Sequence, residues 1–457
     1  LTGPDGKPQR HPLNDLFRTP SMQRLAASGI RFSTFYANSV CSPSRTSLMT
    51  GQSSARHHTT QWIRPEGTNA GPFGPPDWQW KGITAKHRTL PALLHQAGYR
   101  TIHAGKAHFG PNDSYGELPD NFGFDLNIAG RAIGAPGSYF GTDHFGNKGK
   151  RKNRAVHGLE KYHGQDLFLT EALTIEMNAA IKQAVDDEKP FFAYMSYYGV
   201  HAPFQCNKLY AANYRDVDIP EKAKPFCTMI ESMDASVGGI LDQLETLGVA
   251  KDTLVFFLGD NGTDAPLGPI HEIACAAPLR GKKGTHYEGG MRVPFIASWA
   301  RPDATHEVQK ELRIPAGVLS TEMATIQDLF PTILAVTGQE FDGVVDGEDL
   351  SPLLQGSDPK RTPEFLMHFP HSHRSSYFTS YRLGDWKLVY HYHKPAGKRC
   401  ELFHLTEDRT ESRNLASKDP ANRDRMIKAM AAALEKAGAQ YPLDQEDKTK
   451  VLKPVTP

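Results

Sequence analysis

Between Ile30 and Gly338, short runs of apolar and aromatic residues alternate with longer segments whose apolar residues recur at helical spacing. A strand that is apolar on both faces must be covered on both faces, and helices between such strands are what cover them. The strand-like runs are IRFSTFYA (30–37), YRTIHAG (99–105), FFAYMSYY (191–198), TLVFFLGDNG (253–262) and VPFIASW (293–299). The helical segments are TLPALLHQAG (89–98), 165–187, 226–248 and TIQDLFPTILAVTG (325–338). Thr19-Pro20 reads as an N-cap with proline in the first turn, and Gly29 ends that helix. Ser42 to Leu48 reads as another helix start, with Pro43 in its first turn. The alternation predicts an α/β domain over residues 1–356, a large and mostly parallel sheet sandwiched by helices. After Gly356 the pattern changes. SYFTSYRL, DWKLVYHY and CELFHL read as antiparallel strands and 422–438 as a last helix. Residues 357–457 are therefore expected to form a smaller α+β subdomain with an antiparallel sheet.

The net charge of +1 gives no basic excess for nucleic acid, and no apolar run is long enough to span a bilayer. The five cysteines, at 41, 206, 227, 275 and 400, are odd in number and match no zinc spacing. Cys41 stands apart, directly before Ser-Pro-Ser-Arg at a helix start.

In an open α/β sheet, ligands bind beyond the carboxyl ends of the strands. Cys41 follows the first run, Lys106 and His108 the second, His201 the third, and Asp260 and Asn261 the fourth. Each has a structural alternative. Asp-Asn-Gly is also a turn signal, a lysine is also a solvated charge, and a free cysteine is also a core residue. Their convergence on one rim favours a site.

These residues resemble the signature of type I sulfatases, members of the alkaline-phosphatase-like superfamily. Cys41-Ser42-Pro43-Ser44-Arg45 is similar to the Cys-x-Pro-x-Arg motif whose cysteine a maturation enzyme oxidises to Cα-formylglycine. GKAHFG (105–110), VHAPF (200–204), GDNG (259–262), GKKGTHYEGGMRVPF (281–295), TIQDLFPTIL (325–334), GDWKL (384–388) and ELFHL (401–405) follow in family order. The resemblance implies an alkaline-phosphatase-like fold and hydrolysis of sulfate monoesters, with a sulfated glycan as the expected substrate. It gives Cys41, Arg45, Lys106, His108, His201 and Lys283 catalytic roles. It makes Asp260 and Asn261 ligands of a calcium ion, with magnesium as the alternative, because all-oxygen sets suit hard cations. Spacing to Gly284 and Glu288-Gly289-Gly290 favours Lys283 over Lys282.

One departure stands out. The family begins with a strand ending in Asp-Asp, which supplies two further metal ligands. No such pair precedes Cys41; Asp5 sits in a Gly-Pro-Asp-Gly turn. That strand is expected upstream of Leu1.

The chemistry explains why a cysteine is placed here. A hydrated formylglycine is a geminal diol. One hydroxyl attacks sulfur, and the other collapses to the aldehyde and expels sulfate, which splits one hard step into two. His201 is expected to protonate the leaving oxygen, and His108 to take the diol proton. Arg45, one turn along the helix, is placed to hold the diol, and Lys106 and Lys283 to neutralise sulfate oxygens. HFPHSHRSSYF (368–378) makes His371, His373 and Arg374 candidate substrate contacts, with a polar surface loop as the alternative. Trp62, Trp78 and Trp80 are candidates for stacking on a sugar. Two rival functions share the fold: a phosphodiester or phosphonate monoester hydrolase, and a non-catalytic glycan-binding relative. The family context implies a periplasmic, extracellular or lysosomal protein.

Overall fold

The computed structural model describes residues 9–267, 273–357 and 363–457. Asp5 and its expected turn lie outside the described residues, as does the segment 358–362 next to the expected domain boundary.

The apolar runs become β1 (Ile30–Tyr36), β2 (Arg100–Gly105), β4 (Phe191–Ser196), β5 (Leu254–Leu258) and β6 (Arg292–Trp299); β3 (Leu126–Ile128) and β7 (Val318–Thr325) join them. They form two sheets, ordered β5-β6-β1-β7 and β3-β2-β4. β2 pairs in parallel with β3 and β4, and β1 with β7, while β6 runs against both β1 and β5. The parallel majority expected from the alternation is present, with β6 reversed.

The principal helices of this part are α1 (Pro20–Ser28), α2 (Cys41–Thr50), α3 (Leu169–Asp186), α4 (Lys224–Thr246) and α5 (Leu329–Val336). Leu169, Leu173 and Met177 of α3 and Met229 and Leu244 of α4 bury one face of the smaller sheet at Ile102 and Ala104. Leu48 and Met49 of α2 and Leu329 of α5 pack with Phe35 and Phe295 on the larger sheet. Thr19 precedes α1 as expected, but its side chain makes no capping bond. The amides of Ser21 and Met22 instead donate to the two carboxylate oxygens of Asp234 on α4, at 2.9 and 2.8 Å.

Among the described residues, β4 and β5 are each paired on one edge only. Their side chains nevertheless enter the same two apolar layers. Phe192 and Tyr194 join Leu254, Phe256 and Leu258 on one side, and Phe191, Ala193 and Met195 join Val255 on the other. The two sheets therefore lie in one layer with the free edges of β4 and β5 turned toward each other. A single guanidinium, that of Arg45, reaches the ends of both strands.

Beyond residue 363, β8 (Glu364–Phe369), β9 (Phe378–Leu383), β10 (Trp386–His391) and β11 (Cys400–His404) form an antiparallel sheet ordered β11-β10-β9-β8. Helix α6 (Pro420–Lys436) packs Met426, Met430 and Leu434 against Leu388 and Leu402 of that sheet. A buried polar network joins the sheet to the α/β part. Lys387 lies 3.0 Å from Glu288 and 2.7 Å from Glu411, and the Tyr36 hydroxyl donates to Glu288 at 2.5 Å.

Candidate active site

After β1 the chain passes through Asn38-Ser39-Val40 and enters α2 at Cys41. Val40 is extended, and Pro43 falls in the first turn, where a missing amide hydrogen costs nothing. Gly51 stops the helix in a left-handed conformation (φ 67°) and donates its amide to Ser47. All ten residues of α2 are buried although most are polar. Most of their hydroxyls find partners: Ser42 donates to the His108 carbonyl at 3.1 Å, and Thr50 to that of Thr46 at 2.8 Å, while the buried Thr46 hydroxyl has none. The start of α2 is thereby fixed with its first side chain facing His108.

Cys41 Sγ lies 3.3 Å from His108 Nδ1, while His108 Nε2 lies 2.6 Å from the Ile63 carbonyl. Nε2 donates to that carbonyl, so a neutral His108 presents an unprotonated Nδ1 to the sulfur. A Cβ on Gly134 would fall 2.5 Å from this imidazole, so only glycine permits the approach. Burial opposes ionisation of Cys41, but Lys106, His108 and Lys283 outweigh it and hold the thiol well below its usual range. Arg45 uses Nε on Asp260 Oδ2 (2.9 Å) and NH1 on the Lys106 carbonyl and Ser196 Oγ (both 2.6 Å). Lys106 Nζ is 3.9 Å from the same Asp260 oxygen. Burial, with Arg45 and Lys283 nearby, brings Lys106 down to about 8 against the pull of Cys41 and Asp260. Burial would raise the Asp260 carboxyl, but Arg45, Lys106 and Lys283 hold it ionised far below its usual range. His201 Nδ1 lies 2.9 Å from the Ala202 carbonyl; burial, Lys283 and Lys106 lower the ring to about 3. The strand ends thus bring the expected thiol, arginine, lysines, histidines and carboxylate together.

Asn261 donates Nδ2 to the Gly262 carbonyl at 2.9 Å, yet its buried Oδ1 has no partner. An unpartnered amide oxygen beside an ionised carboxylate is the donor set a hard cation takes. Asp260 and Asn261 fit such an ion.

A family model described as sulfatase matches residues 9–339. This chain belongs to the sulfatase family. It is 30% identical over 386 residues to the N-acetylgalactosamine-6-sulfatase of Canis lupus familiaris, a match covering 81% of this chain and 66% of that relative. It therefore spans just under two thirds of that relative's length. The solved structure of Ps i-CgsB in complex with k-i-k-neocarrahexaose superposes with a TM-score of 0.72 at 24% identity, covering 91% of this chain and 87% of that one. The phosphonate monoester hydrolase of Agrobacterium radiobacter shares the fold, with a TM-score of 0.61 at 18% identity over 92% of this chain and 91% of its own. The alkaline-phosphatase-like fold implied by the motifs is thus the fold of this sulfatase-family chain. Among the described residues, no helix is long and apolar enough to cross a membrane.

Of the three candidate substrate contacts, the structure corrects one. His371 is fully buried, with Nε2 2.7 Å from Thr60 Oγ1 and Nδ1 3.0 Å from the Ala70 carbonyl. Both ring nitrogens are engaged, so it has nothing to offer a sugar. Trp78 is buried beside it, ring centroids 4.9 Å apart, and leaves no face for stacking. His373 and Arg374 do border the site. A Cβ on Gly284 would fall 2.6 Å from the His373 ring, and Arg374 donates to the Lys283 carbonyl at 3.1 Å. Lys282 turns its amine to the Pro266 carbonyl.

Two members of the cluster escaped the sequence reading. Ser196 holds Arg45 and also donates to the Lys106 carbonyl at 2.7 Å. Asp264 pairs with Arg374; burial would raise its carboxyl, but Lys283, Arg374 and His201 lower it. Ser196 closes an apolar strand at the same rim, and Asp264 follows GDNG by two residues. The strand-end rule reaches the first; no local pattern marks the second.

Proposed function

We propose that this chain hydrolyses sulfate monoesters of glycans, with residue 41 acting as Cα-formylglycine beside a divalent cation. The observation that carries this is the Cys41 side chain at the start of α2, set against His108 and among Arg45, Lys106 and Lys283. A sulfuryl group is anionic and its transition state spreads charge over its oxygens, so fixed cations in a buried site lower the barrier. Matured and hydrated, residue 41 supplies the geminal diol nucleophile; Asp260 and Asn261 would hold a calcium ion, which when bound would add positive charge to the site. Magnesium is the alternative ion.

The chain's own residues do the rest. Arg45, held by Asp260 and Ser196, fixes the orientation of residue 41. Lys106 and Lys283 bind sulfate oxygens. His108 Nδ1 takes a proton from residue 41 as sulfate leaves. His201 protonates the leaving sugar oxygen; burial, Lys283 and Lys106 hold its proton off in the free site, and the bound anion offsets the two lysines. His373 and Arg374 contact the sugar or a neighbouring anionic group.

Residues 1–356 and 357–457 are the two units of this account. The compartment is periplasmic, extracellular or lysosomal, and the partner needed before catalysis is a formylglycine-generating enzyme.

The test is sulfate release from 4-nitrocatechol sulfate and a panel of sulfated mono- and disaccharides, by protein coexpressed with that enzyme. Release from at least one saccharide, absent in Cys41→Ala, is expected. Faster turnover of an aryl phosphonate ester than of any sulfate would overturn the reading in favour of the phosphonate hydrolases. Binding of the saccharides without turnover would make the chain a glycan-binding relative.

A further inference from the structure

We propose that His286, His391 and Glu401 form a second metal site, suited to a borderline transition ion such as zinc, that fastens the loop carrying Lys283 to the antiparallel sheet. One ligand atom from each of the three residues lies within 4.8 Å of the other two. His286 Nε2 is 3.5 Å and His391 Nε2 is 2.7 Å from the same oxygen, Glu401 Oε1. With bonds of about 2.0–2.1 Å, tetrahedral zinc spaces its ligand atoms about 3.3 Å apart. Small rotations of the three side chains reach that spacing.

Hydrogen bonding inside the cluster is incomplete without an ion. His286 is buried, and its Nε2 makes no hydrogen bond although it points at a carboxylate. Its other nitrogen is occupied, with Nδ1 2.9 Å from Ser375 Oγ. An Nδ1–H donating to that hydroxyl leaves the Nε2 lone pair facing inward, the tautomer a metal requires. Glu401 is also oriented from behind, because the Tyr287 hydroxyl donates to Oε2 at 3.1 Å and leaves Oε1 to the histidines. Two imidazoles and a carboxylate, each with a supporting partner or a fixed strand position, favour a borderline ion over calcium.

The neighbouring charges are compatible with a cation. Lys387 is taken up by Glu288 and Glu411. Lys394 Nζ is 3.7 Å from Glu401 Oε1, but its side chain is half-exposed and free to swing into water. The site is distinct from the Asp260 and Asn261 oxygens, which belong to the cluster around Cys41. It joins the loop three residues beyond Lys283 to the end of β10 and to β11. Its role is therefore to hold that loop in place, with water in the fourth position.

The experiment is a Co2+ titration of the full chain, stripped with chelator and then saturated with calcium, followed by visible absorption and by metal analysis after gel filtration. One equivalent of cobalt per chain, with ligand-field bands of a four- or five-coordinate nitrogen–oxygen site and displacement by zinc, is expected. Asp260→Asn and Cys41→Ala should retain it, and His391→Gln and Glu401→Gln should lose it. No stoichiometric uptake by the wild-type chain overturns the proposal and leaves a hydrogen-bonded His–Glu–His cluster. Cobalt lost in Asp260→Asn or Cys41→Ala but kept in His391→Gln overturns it equally, by assigning the ion to the site around Cys41. The wild-type titration decides the matter even where a variant fails to fold.

Discussion

Two buried clusters of charge lie on either side of the loop 281–288, and they are built on opposite terms. Around Glu288 the charged groups are paired with one another. Lys387 sits between two carboxylates, Tyr36 donates to one of them, and the Glu288 amide donates to Glu411 at 2.7 Å. Around Cys41 the charges are not matched. Arg45, Lys106, Lys283 and Arg374 face two carboxylates, Asp260 and Asp264, and the Asn261 oxygen has no donor. A buried network that satisfies itself has little left to give a ligand; one with surplus cations and an idle oxygen is incomplete until an anion and a cation arrive. Surplus charge, rather than charge itself, separates the site from the weld between the two parts of the chain.

That contrast is open to test from both sides. The largest effect is expected from Cys41→Ala, which should cut sulfate release on the order of 10⁴-fold or more, as loss of a nucleophile does, with the thermal unfolding midpoint intact. Lys283→Met should lower kcat/KM on the order of 10²–10³-fold, the scale of losing one charge-stabilising group. Its unfolding midpoint should stay level or rise, because one of the crowded cations is gone; a fall would mean the cluster is matched after all. Lys387→Met should do the reverse. Two buried carboxylates lose their cation, and chemical denaturation should report a loss of about 3–5 kcal/mol.

The smallest effect is a pH dependence. Burial, with Glu288 close by, raises the Glu411 carboxyl from 4.5 to about 7 despite Lys387. A carboxyl raised in the folded state binds its proton more tightly there than in the unfolded chain. Its contribution to stability is thus full below about 4.5 and is lost as pH rises to about 7. Glu288 is opposite in sign: burial is outweighed by Lys387, Arg292 and Arg382, which lower it to about 2, so its contribution fades only as pH falls below 4.5. Buried neutral histidines such as His57, His103 and His371, lowered to about 3 mainly by burial, add stability as pH rises from 4.5 toward 7, so denaturation midpoints should rise over that range less steeply in the wild type than in Glu411→Gln. An equal slope in both would remove Glu411 from the network.

The strands that could be read from the sequence are mostly those whose side chains are apolar on both faces. β4, β5 and β6 are nearly continuous apolar runs, β1 and β2 are mixed ones between turn signals, and each lies within a few residues of its expected position. β7, VLSTEMAT, alternates too weakly to announce itself, and it is only partly buried over its first half. β8 was hidden because its histidine and the polar stretch after it resemble a surface loop. His371 was misread for the same reason. Its burial depends on Thr60, Ala70 and Trp78, some three hundred residues earlier, and no local pattern reports such partners. The residues around Cys41 were legible because strand ends and ordered motifs mark them. The division of the layer between β4 and β5 was not, since strand order is a property of non-local pairing.

The most direct test of the central claim joins the modification to turnover in one sample. Protein coexpressed with a formylglycine-generating enzyme would be digested to weigh the peptide containing residue 41, and its sulfate release measured alongside. A loss of about 18 Da, the change from a thiol to an aldehyde side chain, rising in step with sulfate release across preparations, is the predicted result. Sulfate release from preparations whose Cys41 is unmodified, or full modification without release from any sulfate ester, would contradict it.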